Sequence, residues 1–291
     1  MPASSPEASR FRRPLLGLVA LLVVLGAGAV IALTSNWAVF APVGTERGLA
    51  LERLKRVTFF GFGMPLPGTP ALDKLDARLA DRGLKLGQPI FMRIFKREFE
   101  LEIWMQGAEG FRHLATYPIC RWSGRLGPKL KTGDYQAPEG FYWVSSQSLN
   151  PNSRWHRSFN LGFPNQFDRA HGRTGSFLMV HGGCGSVGCY AMTDSVIDEI
   201  WRIVTAALEG GQSRFQVQAF PFRMTEENLG AASQSPQHNF WSSLKSGHDL
   251  FESTRTPPLV RMCRGSYVAE PGLPGSDGST PLLARCADGD A

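Results

Sequence analysis

The stretch Phe177-Leu178-Met179-Val180-His181-Gly182-Gly183-Cys184-Gly185-Ser186-Val187-Gly188-Cys189-Tyr190 sets an imidazole and a thiol on one short glycine-rich loop directly after an apolar run. Phe177 to Val180 reads as a buried strand, so His181 falls at a strand end, where a sheet holds the backbone and the side chain projects into a cleft. Gly182, Gly183, Gly185 and Gly188 let the loop turn with positive φ and bring backbone N–H groups close to a ligand. The pattern is that of a cysteine nucleophile with its base: Cys189 attacks, His181 takes the proton, and the loop at Gly188 and Ser186 stabilises an oxyanion.

A thiol attacks a carbonyl as thiolate, so the sequence predicts a Cys189 pKa lowered by the imidazole and by loop N–H dipoles. Val196, Ile197, Ile200, Trp201, Val204 and Leu208 recur at helical spacing behind Thr193 or Asp194 as N-cap, which predicts a helix starting a few residues past Cys189. Its positive end acts on the thiol only weakly, because that effect fades within about one turn. His171, eighteen positions before Cys189, competes with His181 as base, but a polar run precedes it instead of an apolar strand. Cys184 reads as a small half-buried residue or a disulfide partner. Zinc held by His171, His181, Cys184 and Cys189 is the alternative the residue types allow; no Cys-x-x-Cys pair accompanies them, and neither metal nor cofactor is expected.

Arg10, Arg12 and Arg13 precede Pro14–Leu33, an uncharged run of 20 residues long enough to span a bilayer as a helix. The reading is a basic cytoplasmic flank over 1–13 and an anchor over 14–34, with everything after Ser35 outside the cytoplasm. A cleaved signal with Val39-Phe40-Ala41 at the cut is the alternative, disfavoured by Pro42. Behind the anchor, roughly 250 residues suffice for one compact domain with appended segments. The net charge of +6 is spread along the chain with no dense basic block past residue 13, so nucleic-acid binding has no footprint, whereas attraction to an anionic envelope does. Of five cysteines, Cys189 is needed free; the other four can pair outside the cytoplasm, with Cys263–Cys286 in the polar tail the natural pair.

Residues 35–87 read as linker and short helices, over Leu49–Val57 and Leu72–Leu79, around a Gly- and Pro-rich juncture at Phe60–Pro70. Phe91–Met105 alternates and pairs, across a turn at Gly107–Gly110, with Phe111–Ile119 as a hairpin. Phe141–Val144, Ser158–Leu161, Phe177–Val180 and Phe215–Phe222 add strands. The expected fold is mostly β with helices (α+β), with a catalytic domain over 88–225, a helical extension over 226–269 containing Asn239–Phe251, and a flexible tail over 270–291.

At Val180-His181-Gly182 and Ser186-Val187-Gly188-Cys189-Tyr190-Ala191-Met192-Thr193-Asp194 the chain resembles the L,D-transpeptidase catalytic (YkuD-like) family, and more closely its murein L,D-transpeptidase YafK branch. Glu102-Ile103-Trp104-Met105, Tyr117-Pro118-Ile119-Cys120-Arg121-Trp122, Gly127-Pro128-Lys129, Gln136-Ala137-Pro138-Glu139-Gly140-Phe141-Tyr142, Asn150-Pro151-Asn152-Ser153 and Arg169-Ala170-His171-Gly172-Arg173-Thr174-Gly175 extend the match over roughly the middle half of the chain. The resemblance implies a β-sandwich-like catalytic domain behind a transmembrane helix, and a Cys189 acyl-enzyme formed on meso-diaminopimelate stem peptides of peptidoglycan. It places the protein in the cell envelope, anchored in the inner membrane with its catalytic part in the periplasm. Implied outcomes are cross-linking of stems, attachment of a wall-linked lipoprotein, or hydrolysis that detaches one or trims cross-links, as an amidase or endopeptidase does. Val187 stands where the wider family has a second histidine, and Tyr190 where it has an arginine. A carboxylate-reading guanidinium must then come from elsewhere: Arg173 first and Arg121 second, with Tyr190 lining the substrate. The rivals are a non-catalytic peptidoglycan-binding protein and an unrelated cysteine protease.

Overall fold

The structure is a computed structural model that describes residues 45–283 and residue 286. The basic flank 1–13 and the anchor 14–34 lie outside the described residues, among which no helix is long and apolar enough to cross a membrane. The chain divides after Lys55 into an N-terminal unit and a unit running from Arg56 to its end.

Helix α1 (Glu46–Gly61) is followed by a 3-10 turn (Leu72–Lys74) and α2 (Leu75–Ala80), close to the predicted helices. Strands β1 (Ile90–Phe95), β2 (Glu100–Gly107) and β3 (Gly110–Pro118) form a meander. The predicted single strand Phe91–Met105 is in fact two, because the chain turns at Lys96–Phe99. Lys96 is withdrawn into the core at that turn, where its ammonium meets Glu139 at 2.9 Å and the carbonyls of Arg125, Gly127 and Ala137, and Phe99 takes φ 55° to close it. A fully buried ammonium is tolerable only with such complete pairing.

Then come β4 (Arg121–Trp122), β5 (Gly140–Ser145), β6 (Leu149–Ser153), β7 (His156–Asn160), α3 (Gln166–Ala170), β8 (Met179–His181) and β9 (Tyr190–Ala191). Helix α4 (Asp194–Glu209) and strand β10 (Arg214–Phe220) precede α5 (Glu226–Ala231), α6 (His238–Thr254) and a hairpin of β11 (Leu259–Cys263) and β12 (Ser266–Glu270). One mixed sheet has the order β3-β2-β1-β10-β5 and the other β4-β9-β8-β7-β6. Their cores meet where Phe159 of β7 packs edge-on against Phe215 of β10, ring centroids 6.0 Å apart. This is a mixed α+β fold, in keeping with the expected class.

The C-terminal elements are built into the same unit. Phe95 and Phe141 share one apolar cluster with Met224, Trp241, Leu244, Val260, Tyr267 and Leu282. The expectation of a flexible tail from 270 fails over 271–283: Leu283 exchanges backbone hydrogen bonds with Val260 and Met262, Gly278 and Asp277 accept from Trp143 and Gln212, and Cys263 and Cys286 are joined. Composition alone reads that segment as loose; the cross-link and these long-range bonds fix it.

Candidate active site

The loop between His181 and Cys189 is suspended from β8, β9 and the start of α4. The carbonyl of His181 accepts from Met192 N–H at 2.8 Å, that of Gly183 accepts from Thr193 N–H at 2.9 Å, and Gly183 N–H donates to Asp194 Oδ1 at 2.7 Å. Thr193 occupies the N-cap position of α4 without a side-chain cap bond. Asp194 approaches so closely that a Cβ on Gly182 would lie 2.6 Å from Oδ1, which is why a glycine stands there.

Strand register relates the candidate side chains. Parallel strands β8 and β9 pair Val180 with Tyr190 and His181 with Ala191, so Cys189 falls beside Met179. Met179 N–H indeed reaches Cys189 Sγ at 3.4 Å, and the thiol points to the Phe177 carbonyl at 3.6 Å. Alternate residues share a face, and the alternation carried one residue ahead of β9 sets Cys189 on the face of His181, one strand over and two residues along, roughly 5 Å by 7 Å. Antiparallel β4 pairs Arg121 with Ala191, which puts the exposed Arg121 on that face too. Tyr190, Val180 and Trp122 take the opposite face and are fully buried.

Tyr190 is therefore a core residue, its hydroxyl donating to the Pro138 carbonyl at 2.6 Å, and it does not line a substrate surface as expected. The one-residue alternation of a strand turns it away from Cys189. Arg173 is also engaged internally: it is buried, binds Asp168 Oδ1 at 2.9 Å, and lies over the rings of Phe167 and Phe240 at 5.2 and 4.6 Å. Burial pushes the Asp168 carboxyl up in pKa, against the pull of Arg173. Of the two candidate guanidiniums, Arg121 alone shares the face of Cys189. His171 caps α3, its ring tilted 31° to that of Phe167 with centroids 4.1 Å apart and Nδ1 on the Phe167 carbonyl, so it is occupied with a different element.

His181 is nearly fully buried, and its Nδ1 lies 2.6 Å from the Gly182 carbonyl. A carbonyl only accepts, so Nδ1 carries the proton and Nε2 presents its lone pair. Burial pulls the imidazole pKa down, with the Gly182 hydrogen bond working the other way. Burial likewise pushes the Cys189 thiol up, opposed by Met179 N–H and by the charge of Lys129. The expected lowered thiol pKa is thus reversed at rest: both groups are neutral, because each is desolvated before substrate arrives.

The sequence reading missed three contributors. Ser123, which follows β4 and falls opposite Cys189, accepts Gly188 N–H at 2.5 Å and lies 3.3 Å from Ser186 Oγ, and Ser186 in turn donates to the Cys189 carbonyl at 2.7 Å. Gly188 takes φ 113° to turn its N–H that way, so Gly188 and Ser186, expected at an oxyanion, are occupied in holding the backbone at Cys189. Lys129, expected only as part of the Gly127-Pro128-Lys129 match, is buried against Asp134 at 2.5 Å. Trp155, on the β6–β7 turn, lies over His181 with ring centroids 5.9 Å apart. Cys184 is joined to Cys120, which removes it from both nucleophilic and zinc-ligand roles and leaves Cys189 as the free thiol among the described residues.

No family model matches the chain. It is 47% identical over 226 residues to the protein named "Putative L,D-transpeptidase YafK" of Escherichia coli strain K12, covering 77% of this chain and 89% of that one, and equally so to its counterpart in Escherichia coli O157:H7. Among solved structures, the helical cell shape determining protein Pgp2 of Campylobacter jejuni aligns at 19% identity and a TM-score of 0.38 over 62% of this chain and 67% of that one. Bd1075 of Bdellovibrio bacteriovorus aligns at 18% identity and a TM-score of 0.35 over 56% of this chain and 60% of that one. On the extent and identity of the Escherichia coli match, the chain belongs to the YafK branch of the L,D-transpeptidase family.

Proposed function

We propose that this protein is a cysteine acyl-transfer enzyme of the cell envelope acting on meso-diaminopimelate stem peptides of peptidoglycan. The observation that carries the reading is the shared face of Cys189 and His181, with Nδ1–H anchored on Gly182 and Nε2 left as the base. As Sγ attacks the substrate carbonyl, its proton passes to Nε2 and the carbonyl electrons move onto oxygen. Collapse of that intermediate expels the leaving amine, which takes the proton back and leaves a thioester on Cys189. An acceptor amine or water then gives its proton to Nε2, attacks the thioester and frees the thiol. Because the resting pair is neutral, proton transfer is coupled to attack.

Arg121, exposed on the same face, is the group we assign to the stem-peptide carboxylate. The two disulfides suit the oxidising side of a membrane, in keeping with an inner-membrane anchor and a periplasmic catalytic unit. A second reading, hydrolytic release of a polypeptide such as a lipoprotein from the wall, is favoured by one observation. Phe177, 70% exposed, borders the thiol, and Val187, 72% exposed, precedes Cys189 in the same loop; both offer apolar surface that a sugar-peptide polymer does not require.

The test is incubation of the full chain with defined muropeptides, with and without an acceptor amine, and identification of products by mass. Stem exchange supports transfer and a shortened stem supports hydrolysis. If wild type and Cys189→Ala leave identical products while the wild type still binds peptidoglycan, the enzyme reading gives way to a binding protein.

A further inference from the structure

The β6–β7 turn places an exposed tryptophan over His181 and over glycines of the loop that follows it. Trp155 is 46% exposed, yet its ring is tilted 32° to the His181 ring, and Cβ atoms built on Gly183 and Gly185 would lie 3.4–3.5 Å from its six-membered edge. The turn itself is braced. Arg154 lies over the outer face of Trp155 at 5.5 Å; His156, at φ 67°, and Arg157 both bind Asp198 of α4, at 2.8 and 2.9 Å. An aromatic ring on a turn tied to α4 and laid on a glycine stretch is a fixed roof.

We propose that Trp155 is a positioning residue for the base: its ring roofs His181 and the Gly183–Gly185 segment, fixing the imidazole and keeping bulk water from it. This rests on the reading of His181 as the base. The charges around His181 are few. Asp194 takes the Gly183 N–H, Asp198 is shared by His156 and Arg157, Arg121 stands one strand further away beyond Ala191, and Cys189 is neutral. From β7, Ser158 is the register partner of His181 and carries no charge. Burial is accordingly the largest influence on the imidazole, and Trp155 is the aromatic part of that burial.

The test is an NMR titration of the histidine ring resonances in the full chain, with His181 assigned by its loss in His181→Gln, alongside the pH profile of kcat/KM. Trp155→Ala should raise the His181 midpoint by about half a pH unit or more toward the ordinary imidazole value, because water then reaches the ring. It should also lower kcat/KM about tenfold at neutral pH, through a looser base. Trp155→Phe should restore both to within about twofold, since an apolar ring again covers the imidazole. An unmoved midpoint in folded Trp155→Ala overturns the proposal. If that variant does not fold, Trp155→Gln, which puts a polar, hydrated amide over the ring, carries the test, and an unmoved midpoint there overturns it equally. The titration needs no substrate, so the base reading fails separately, if His181→Gln turns over muropeptide like the wild type.

Discussion

Cys120→Ala alone should silence the enzyme under oxidising conditions, although Cys120 never meets substrate. In the wild type Cys120 holds Cys184, which sits in the glycine loop five positions before Cys189. Freed, the Cys184 thiol shares a loop containing Gly185 and Gly188 with the nucleophile, short and pliant enough to bring the two Cα atoms within the roughly 4.4–6.8 Å a disulfide needs. The single variant should therefore oxidise to a Cys184–Cys189 bridge, and activity should return with dithiothreitol. The double variant Cys120→Ala/Cys184→Ala cannot mispair and should stay active without reductant. Its cost is in stability: the native bridge spans 64 positions, which in the chain-entropy account corresponds to about 4 kcal/mol. For a chain of this size that is a fall in Tm on the order of 10 °C. The assays are turnover with and without reductant, peptide mapping by mass, and thermal unfolding. Full activity of Cys120→Ala in air, with no Cys184–Cys189 peptide, refutes the reasoning.

Cys189→Ala and Cys189→Ser should abolish turnover without changing the thermal transition, since neither removes a core contact. His181→Ala should lower the acylation rate by roughly 10²- to 10⁴-fold, while His171→Ala stays near wild type; the reverse order in folded protein would move the base to His171. Arg173→Ala should destabilise by about 3–5 kcal/mol because it strands the buried Asp168 carboxylate, whereas Arg121→Ala should leave Tm alone and raise KM for free but not amidated meso-diaminopimelate peptides. Burial pushes Glu102 up, but Arg93 and Arg223 outweigh it and hold its carboxyl at about 2. The folded pKa is depressed, so its stabilisation, about 3 kcal/mol, is complete above the unfolded value and fades as pH falls from about 4.5 to about 2. Denaturant melts of wild type and Glu102→Gln across that range check this, and parallel curves would count against it.

What the sequence disclosed follows physical periodicity. The helical spacing of Val196–Leu208 reappears as α4, because an amphipathic helix writes its burial into local order, whereas the alternation of Phe215–Phe222 reappears as β10 although both faces of that strand are buried, Gln216 and Gln218 included. The turn at Lys96 was illegible since its cause, Glu139, lies 43 residues away. Two-residue strands such as β4 and β9 are too short to carry a period, so Ser123, which only their pairing brings to Cys189, had no local signal. The same register explains Tyr190: its neighbour's role was extended to it, while strand alternation turned it into the core. Arg173 carries the residue type of a carboxylate reader, but its partner Asp168 sits inside a cluster assembled from α3 and α6, which no window of sequence displays.

Helix α6 sends Trp241 Nε1 to Glu139 Oε2 at 2.8 Å, on the carboxylate that also receives Lys96 and the Gly127 N–H. That hub fixes the start of the loop carrying Lys129. Cutting the chain at the apparent end of the catalytic domain, near residue 225, would expose this ion pair to water and unpin the loop that bears on the thiol. The smallest excisable enzyme therefore extends through the C-terminal helix, and homologues shortened before it would have to replace a tryptophan donor or dispense with the buried charge.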